Sequence, residues 1–239
     1  MKKMIGRMAT GCAVVLMAAS TVFSADATLN MDVNSAYVCR GVTYNDGLVL
    51  QPSLDVLKGG FDVNIWGNLD IDDYDGILDS GEFSELDLTM TYSRSFDKLS
   101  LTGGVIGYVY SAGGGDKTTA ELYGNASYAL ADKITLGLAV YYDVDEFKDT
   151  CYSMASLAYT QPVGDKLSVT AGAAAGYMAR ASKYGESGFN EYKLSLKASY
   201  ALTDTLGLGA NINYTDAIDD DVLVTDVNTF GGVSVSCKF

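Results

Sequence analysis

Acidic side chains dominate the residues of this sequence that could do chemistry, and one group of five lies between residues 71 and 82. The spacing partly matches a calcium-binding loop, with Gly76 where such a loop turns sharply. The candidate ligands are Asp73, Asp75, Asp79 and Glu82. Ile71 occupies the first ligand position, however, and no flanking helices are expected. The pattern therefore favours a solvated acidic loop over a calcium site, and no cofactor is expected.

The chain contains no histidine. This excludes Ser-His and Cys-His nucleophilic sites, in which histidine activates the attacking group. Carboxylates remain available for acid–base chemistry, but no spacing singles out a pair. Cys39, Cys151 and Cys237 form an odd set without a metal or redox motif, so we predict small apolar side chains on a protein wall. We therefore expect that the protein is not an enzyme.

The first 25 residues have the features of an export signal. Three basic residues precede a short apolar core at 11–19, and small residues follow it. Cleavage is predicted between residues 24 and 27. The segment contains no acidic residue, so its removal takes the formal net charge from −14 to −17. Nucleic acid is a poor partner for such a chain because its binding depends on basic patches. Cations, or positively charged groups near the cell surface, suit the acidic field better.

Beyond the signal, apolar residues alternate with polar or tiny ones, which is the period of β-strands with two different faces. Most of the alternating runs have the roughly 9 to 11 residues that a tilted strand needs to cross a bilayer. We predict strands at about 28–40, 48–57, 61–71, 85–96, 99–110, 119–130, 134–143, 151–161, 167–178, 190–202, 206–215 and 226–239.

The predicted fold class is therefore all-β: a closed antiparallel up-and-down transmembrane β-barrel of 12 strands, formed as a single domain by residues 28–239. Residues 151–161 lack a clean apolar face, and Pro52 cannot donate a ladder hydrogen bond. If 151–161 and the next segment do not form a hairpin, the alternative is a barrel of ten strands.

The connections alternate between tight turns containing Asp-Lys or Gly-Gly pairs and longer acidic or Gly-rich segments. In bacterial outer-membrane barrels short turns are periplasmic and long loops extracellular, so both termini are predicted to be periplasmic. Aromatic residues on the apolar register predict belts at the two lipid interfaces. One belt contains Phe61, Tyr92, Phe96, Tyr128, Tyr200 and Phe239, and the other contains Tyr37, Tyr142, Tyr177 and Tyr214.

The last strand alternates back from a terminal Phe239, as in chains that the barrel assembly machinery of the outer membrane recognises. We therefore predict this machinery and outer-membrane lipid as partners, and the bacterial outer membrane as the location.

Polar residues on the second register must face the barrel interior. The candidates that line the lumen are Asp32, Asn34, Arg40, Asp62, Asn64, Trp66, Asn68, Asp87, Lys193 and Lys197. In a closed barrel the strand with the two lysines lies about opposite the strands with Asp62 and Asp87. This predicts either a transverse field at a constriction or a narrow barrel plugged by paired polar residues. Arg40, at the predicted end of the first strand, fits both arrangements.

Residues 35–43, Ser-Ala-Tyr-Val-Cys-Arg-Gly-Val-Thr, followed by Asp46-Gly47, resemble the opening of the TorF-like porin family of Gram-negative bacteria. Trp66-Gly-Asn68 and then Glu85-Leu-Asp-Leu88 resemble the second block of that family. These motifs cover only residues 30–92, and Cys39 replaces an expected aromatic residue. The resemblance implies an outer-membrane porin without a settled substrate.

Two functions are compatible with these patterns. The first is a channel for the passive passage of small solutes, with a preference for cations. The alternative is a non-conducting structural or surface-interaction barrel that works through its acidic extracellular loops.

Overall fold

The computed structural model describes residues 25–72, 80–111 and 117–239. Within them, fourteen strands and one short 3-10 helix, Ser182–Tyr184, follow one another. The strands are β1 Asp26–Asn34, β2 Tyr37–Cys39, β3 Val42–Asn45, β4 Val49–Lys58, β5 Phe61–Asp70, β6 Phe83–Phe96, β7 Leu99–Tyr110, β8 Lys117–Ala131, β9 Ile134–Asp143, β10 Cys151–Val163, β11 Leu167–Ala179, β12 Gly188–Ala201, β13 Leu206–Ala217 and β14 Thr229–Lys238. The predicted export signal lies almost entirely outside the described residues.

Twelve of these strands form a closed antiparallel barrel, in which β14 pairs with β1 and so leaves no free edge. This confirms the predicted barrel of 12 strands. The alternative of ten is wrong, because β10 pairs with both β9 and β11. The weak apolar face of β10 did not prevent this pairing, since backbone hydrogen bonds to both neighbours hold a strand whatever its side chains are.

The two faces of each barrel strand differ in the way the alternation predicted. On β5, Phe61, Val63 and Ile65 are exposed on the outside, while Asp62 and Asn64 between them are half-buried on the inside. Leucine, isoleucine and valine cover the outer face of the other strands in the same way. An apolar exterior around a polar interior is the arrangement of a barrel that faces lipid. No helix in the described part of the chain is long and apolar enough to cross a membrane.

Short and long connections lie at opposite ends of the barrel. The short ones, at the turn end, are residues 59–60, 97–98, 132–133, 164–166 and 202–205, and the start of β1 and the end of β14 also lie at this end. Gly59 and Gly60 have φ values of 59° and 90°, which side chains with a Cβ rarely adopt and which tight hairpins need. The other end, the loop end, carries the longer connections.

The prediction that the first strand extends to residue 40 is wrong. β1 stops at Asn34, and β2 and β3 pair only with each other. Arg40 and Gly41 between them have positive φ values of 52° and 77°, the geometry of a two-residue hairpin turn. Residues 37–45, the inner hairpin, fold into the loop end of the barrel, so Arg40 lies at the tip of this hairpin and not at the end of a wall strand.

The inner hairpin also changes the predicted aromatic belt. Tyr37 stacks on Tyr44, with ring centroids 5.1 Å apart, and packs 5.5 Å from Trp66, so it lies inside the barrel. The other predicted belt residues lie on the outer face and are exposed. Cys39 likewise belongs to the inner hairpin, whereas Cys151 and Cys237 lie on barrel strands.

Candidate functional site

Hydrogen-bonded amides line the inner wall formed by β1, β4 and β5. Asn68 is fully buried and donates to Asp70, at 2.9 Å, and to Ser84, at 2.9 Å. It also accepts a hydrogen bond from Gln51, which in turn accepts one from Asn34, each at 2.9 Å. Because each amide in this series has a hydrogen-bond partner, the series holds one wall of the lumen in a fixed geometry.

A second group of polar residues lies nearer the turn end on the same wall. Asn30 and Asn64 both donate to the carboxylate of Asp55, at 3.0 and 2.8 Å. Of the sequence-predicted candidates, Asn34, Asn64 and Asn68 therefore belong to hydrogen-bonded groups on one wall. Trp66 lies on the same face of β5 and contacts the inner hairpin through Tyr37.

Asp62 and Asp87 differ from these amides. In each, the Oδ1 atom is buried without a hydrogen-bond partner. Asp87 borders a cavity of about 580 Å³ at the loop end, together with Glu85 and with Lys193 from the far side of the barrel. These two oxygens therefore gain no protein hydrogen bond that would offset the cost of burying them.

The predicted opposition of charges holds only in part. β12, with Lys193 and Lys197, lies six strands from β6 in the barrel of 12, and so opposite Asp87. Lys193 Nζ lies 5.7 Å from the ring centroid of Phe230, and Lys197 is exposed in the lumen. Glu191, however, is also buried on the inner side of β12, so this wall is not uniformly basic.

An ion pair joins Arg40 and Glu121 in the lumen. Arg40 donates from Nη1 to Oε1 at 2.7 Å and from Nη2 to Oε2 at 2.6 Å, which is a bidentate pairing. Tyr108 donates its hydroxyl hydrogen to the same carboxylate at 2.6 Å. The guanidinium carbon lies 4.5 Å from the ring centroid of Tyr141 and 4.9 Å from that of Tyr152. We call Tyr108, Glu121, Tyr141 and Tyr152 the Arg40 cage.

Arg40 lies outside the barrel strands, and two opposed effects act on its charge. Burial by itself lowers the pKa of its guanidinium, but the hydrogen bonds and charge of Glu121 outweigh burial and hold the pKa well above its usual range. The group is therefore permanently protonated. Sequence reasoning did not identify the cage residues as a site, although each lies on the polar register of its strand.

Three further contacts hold the inner hairpin across the loop end. Asn190 on β12 donates to the backbone oxygen of Arg40 at 2.8 Å. The amide of Val227 donates to Thr43 Oγ1 at 3.0 Å, and Asn45 donates to Asp70 at 2.7 Å. The inner hairpin thus contacts opposite walls and narrows the lumen at this end.

Space nevertheless extends along β12 between the two ends of the barrel. A cavity of about 520 Å³ at the turn end is lined by Asp32, Lys197 and Ser234 among others. These three residues also line a smaller cavity of about 250 Å³, which shares Lys193 with the cavity at the loop end. Glycine and alanine on the inner face of the neighbouring β11 leave this side of the lumen unfilled.

The calcium candidates give no observed site. Asp73, Asp75 and Asp79 lie outside the described residues, and Glu82 is exposed. In the described part of the chain no group of three or more histidine, cysteine, aspartate or glutamate side chains could hold a metal ion.

No family model matches this chain, and no curated protein matches it in sequence. Solved structures share its fold. It is similar to the KdgM porin, with a TM-score of 0.58 and 11% identity over 89% of this chain and 99% of that one. It is also similar to the NanC porin, with a TM-score of 0.56 and 9% identity over 87% and 98%. A structure of the KdgM porin with disordered oligogalacturonate gives 0.55 and 11% over 90% and 99%. At such low identity the similarity is one of fold: this chain has the closed 12-strand barrel found in porins.

Proposed function

We propose that this protein is a channel for the passive passage of small solutes, with a preference for cations. The observation that carries the proposal is the series of cavities along β12, in which each cavity shares lining residues with the next from the turn end to the loop end. The fold shared with porins supports it. Because the diameter of a barrel grows with its strand number, 12 strands enclose more space than the barrels of about eight strands that side chains fill.

The cation preference is supported by the charges inside the loop end. The buried charged residues there are all carboxylates: Asp70, Glu85, Glu121, Asp143 and Glu191. The cavity of about 580 Å³ at this end is also bordered by Arg40, Arg180 and Lys193, so carboxylates outnumber basic residues there by five to three. An excess of negative charge in a narrow, low-dielectric passage concentrates cations.

The location, orientation and family are part of the same proposal. We place the barrel in the bacterial outer membrane, with both termini in the periplasm and the longer connections outside the cell. Outer-membrane lipid and, through the strand ending in Phe239, the barrel assembly machinery are its proposed partners. The motifs between residues 30 and 92 support membership of the TorF-like porin family.

Single-channel recording on refolded protein in planar bilayers tests the channel directly. We expect ion conductance, and at alkaline pH, where both carboxyl groups are ionised, we expect the Asp62→Asn, Asp87→Asn double variant to lower the potassium-to-chloride permeability ratio by roughly twofold, because it removes two negative charges from the lumen. Asp97→Asn is the matched control, since Asp97 lies in an exposed turn with a φ of 52° that asparagine tolerates. A silent wild-type protein would reject the channel, and an unchanged ratio would reject the role of these carboxylates.

A specific observation also favours the second function, a non-conducting structural or surface-interaction barrel. The inner hairpin crosses the lumen and is fixed by the ion pair of Arg40 and Glu121. If it is a constriction in a channel, Arg40→Ala should raise the single-channel conductance roughly twofold or more, because a large side chain leaves the lumen and the tip of the inner hairpin loses its ion pair. If the barrel is only structural, neither wild type nor variant conducts. The same bilayer recordings distinguish the two.

A further inference from the structure

We propose that the Arg40 cage is a binding site for solutes that carry a guanidinium group, and that Arg40 occupies this site as a tethered competitor. The inference deepens the proposed function by naming a solute class. Binding at the cage does not require conduction, whereas the idea that the bound solute is transported rests on the proposed channel.

The carboxylate of the cage is placed to accept two parallel hydrogen bonds from one planar group. Both oxygens of Glu121 accept from Arg40, at 2.7 and 2.6 Å, and a compact ammonium group cannot make this pair of parallel hydrogen bonds. Glu121 is also largely buried, with 8% of its side chain exposed, so an oppositely charged ligand gains more there than it would in open water.

Two aromatic rings also favour a guanidinium group over other cations. The guanidinium carbon of Arg40 lies within 5 Å of the ring centroids of Tyr141 and Tyr152, at 4.5 and 4.9 Å. Aromatic faces attract cations at this distance, and guanidinium groups also stack on them. A carboxylate fork together with two aromatic faces matches a guanidinium group better than it matches potassium or a primary amine.

The cage belongs to the barrel wall and does not need the inner hairpin for its shape. Its residues lie on the adjacent wall strands β7, β8, β9 and β10. Contacts within the wall hold them: Tyr108 donates to Glu121, Tyr152 donates to Glu191, and the ring of Tyr141 packs 4.9 Å from that of Tyr123. The site is therefore preorganised and would remain if Arg40 moved away.

The group that fills the cage, in contrast, comes from a segment outside the barrel ladder. β2 and β3 pair only with each other, and a cavity of about 580 Å³ borders both Arg40 and the cage. A solute in this cavity competes with a tethered side chain whose effective concentration is on the order of millimolar. Displacement of Arg40 would break the ion pair at the tip of the inner hairpin, and the hydrogen bonds to Asn190, Val227 and Asp70 would remain.

The test is a calorimetric titration of the refolded full barrel in detergent with methylguanidinium chloride, at constant ionic strength. We expect the Arg40→Ala variant to bind about tenfold more tightly than wild type, because the tethered competitor is gone. Ethylammonium chloride should bind more weakly than methylguanidinium, and Glu121→Gln in the Arg40→Ala background should abolish binding. Arg94→Ala is the matched control, since it removes an exposed guanidinium group from β6 that packs beside Phe96 on the outer face.

A second readout, tryptophan fluorescence, does not depend on changing Arg40 or Glu121. Trp66 is the only tryptophan of the chain, and it contacts the inner hairpin through Tyr37. Saturating methylguanidinium should therefore change the tryptophan fluorescence of wild type and of Arg94→Ala, whereas equal ethylammonium should change it less.

The outcomes separate the two proposals. Equal affinity of wild type, Arg40→Ala and Arg94→Ala for methylguanidinium, or equal affinity for both cations, would overturn the binding site. If Arg40→Ala does not refold, Arg40→Lys gives the same comparison. Lysine keeps the positive charge but cannot form the two parallel hydrogen bonds of a guanidinium group, so this variant should also bind methylguanidinium more tightly than wild type. Binding as expected in a barrel that never conducts would overturn transport alone.

Discussion

The Leu157→Arg substitution is expected to lower the free energy of unfolding of the barrel by about 2–4 kcal/mol, the cost of arginine at the lipid-facing midplane of a membrane barrel. Leu157 lies in the middle of β10 and is 47% exposed on the outer face. In a membrane this exposed surface is covered by lipid tails, so a guanidinium group there loses its hydration without gaining a partner.

Ser156, the preceding residue, provides a matched control on the opposite face. It lines a cavity of about 210 Å³ inside the barrel together with Tyr123 and Asn125, so an arginine there can remain in water. We expect Ser156→Arg to cost no more than about 1 kcal/mol. Urea unfolding in phospholipid vesicles, followed by tryptophan fluorescence, measures both. Equal costs, or a larger cost for Ser156→Arg, would show that the faces of β10 are assigned wrongly.

The second large effect concerns the ion pair that anchors the inner hairpin. Removing one partner of a buried ion pair leaves the other charge uncompensated, and we expect Arg40→Ala to cost about 3 kcal/mol of unfolding free energy. Glu121 is fixed to β8 and cannot follow a lost partner into solvent. Glu121→Gln should cost less, because the long side chain of Arg40 borders a cavity of about 580 Å³ in which it can regain water.

A double-mutant cycle measures the coupling between these residues. The Arg40→Ala, Glu121→Gln double variant should be clearly more stable than the sum of the single costs implies, since it leaves neither charge unpaired. Arg94→Ala, which removes an exposed arginine, should change the free energy of unfolding by less than about 0.5 kcal/mol. Strict additivity in the cycle would mean that Arg40 and Glu121 do not interact in the folded protein.

Much of the barrel was predictable from local patterns. Alternation in a segment such as Phe61–Asp70 reports directly which side chains face outward, because successive residues of a strand point to opposite faces. Gly59 and Gly60 mark a turn for an equally local reason, since few other residues adopt their backbone angles. These signals need only neighbouring residues, and together they predicted the strand count and the closed barrel.

The predicted lumen residues show what alternation does not predict. Asp62 and Asp87 lie on the inner face, but whether an inward side chain meets a partner or open space depends on distant strands. Asn68 lies on the same face as Asp62, yet it is fully buried and forms hydrogen bonds with residues of β4 and β6 as well as β5. Alternation assigns a face to a residue and carries no information about its partners.

The sequence by itself determined that this chain forms a 12-strand barrel with an apolar exterior, a polar lumen and no histidine-based chemistry, because these properties depend on composition and on a period of two. Only the tertiary structure decided that residues 37–45 leave the wall and that Arg40 reaches Glu121, 81 positions away in the chain. The physical reason is that barrel closure brings strands distant in sequence around one lumen, and the destination of an inward-folding hairpin depends on the walls that surround it.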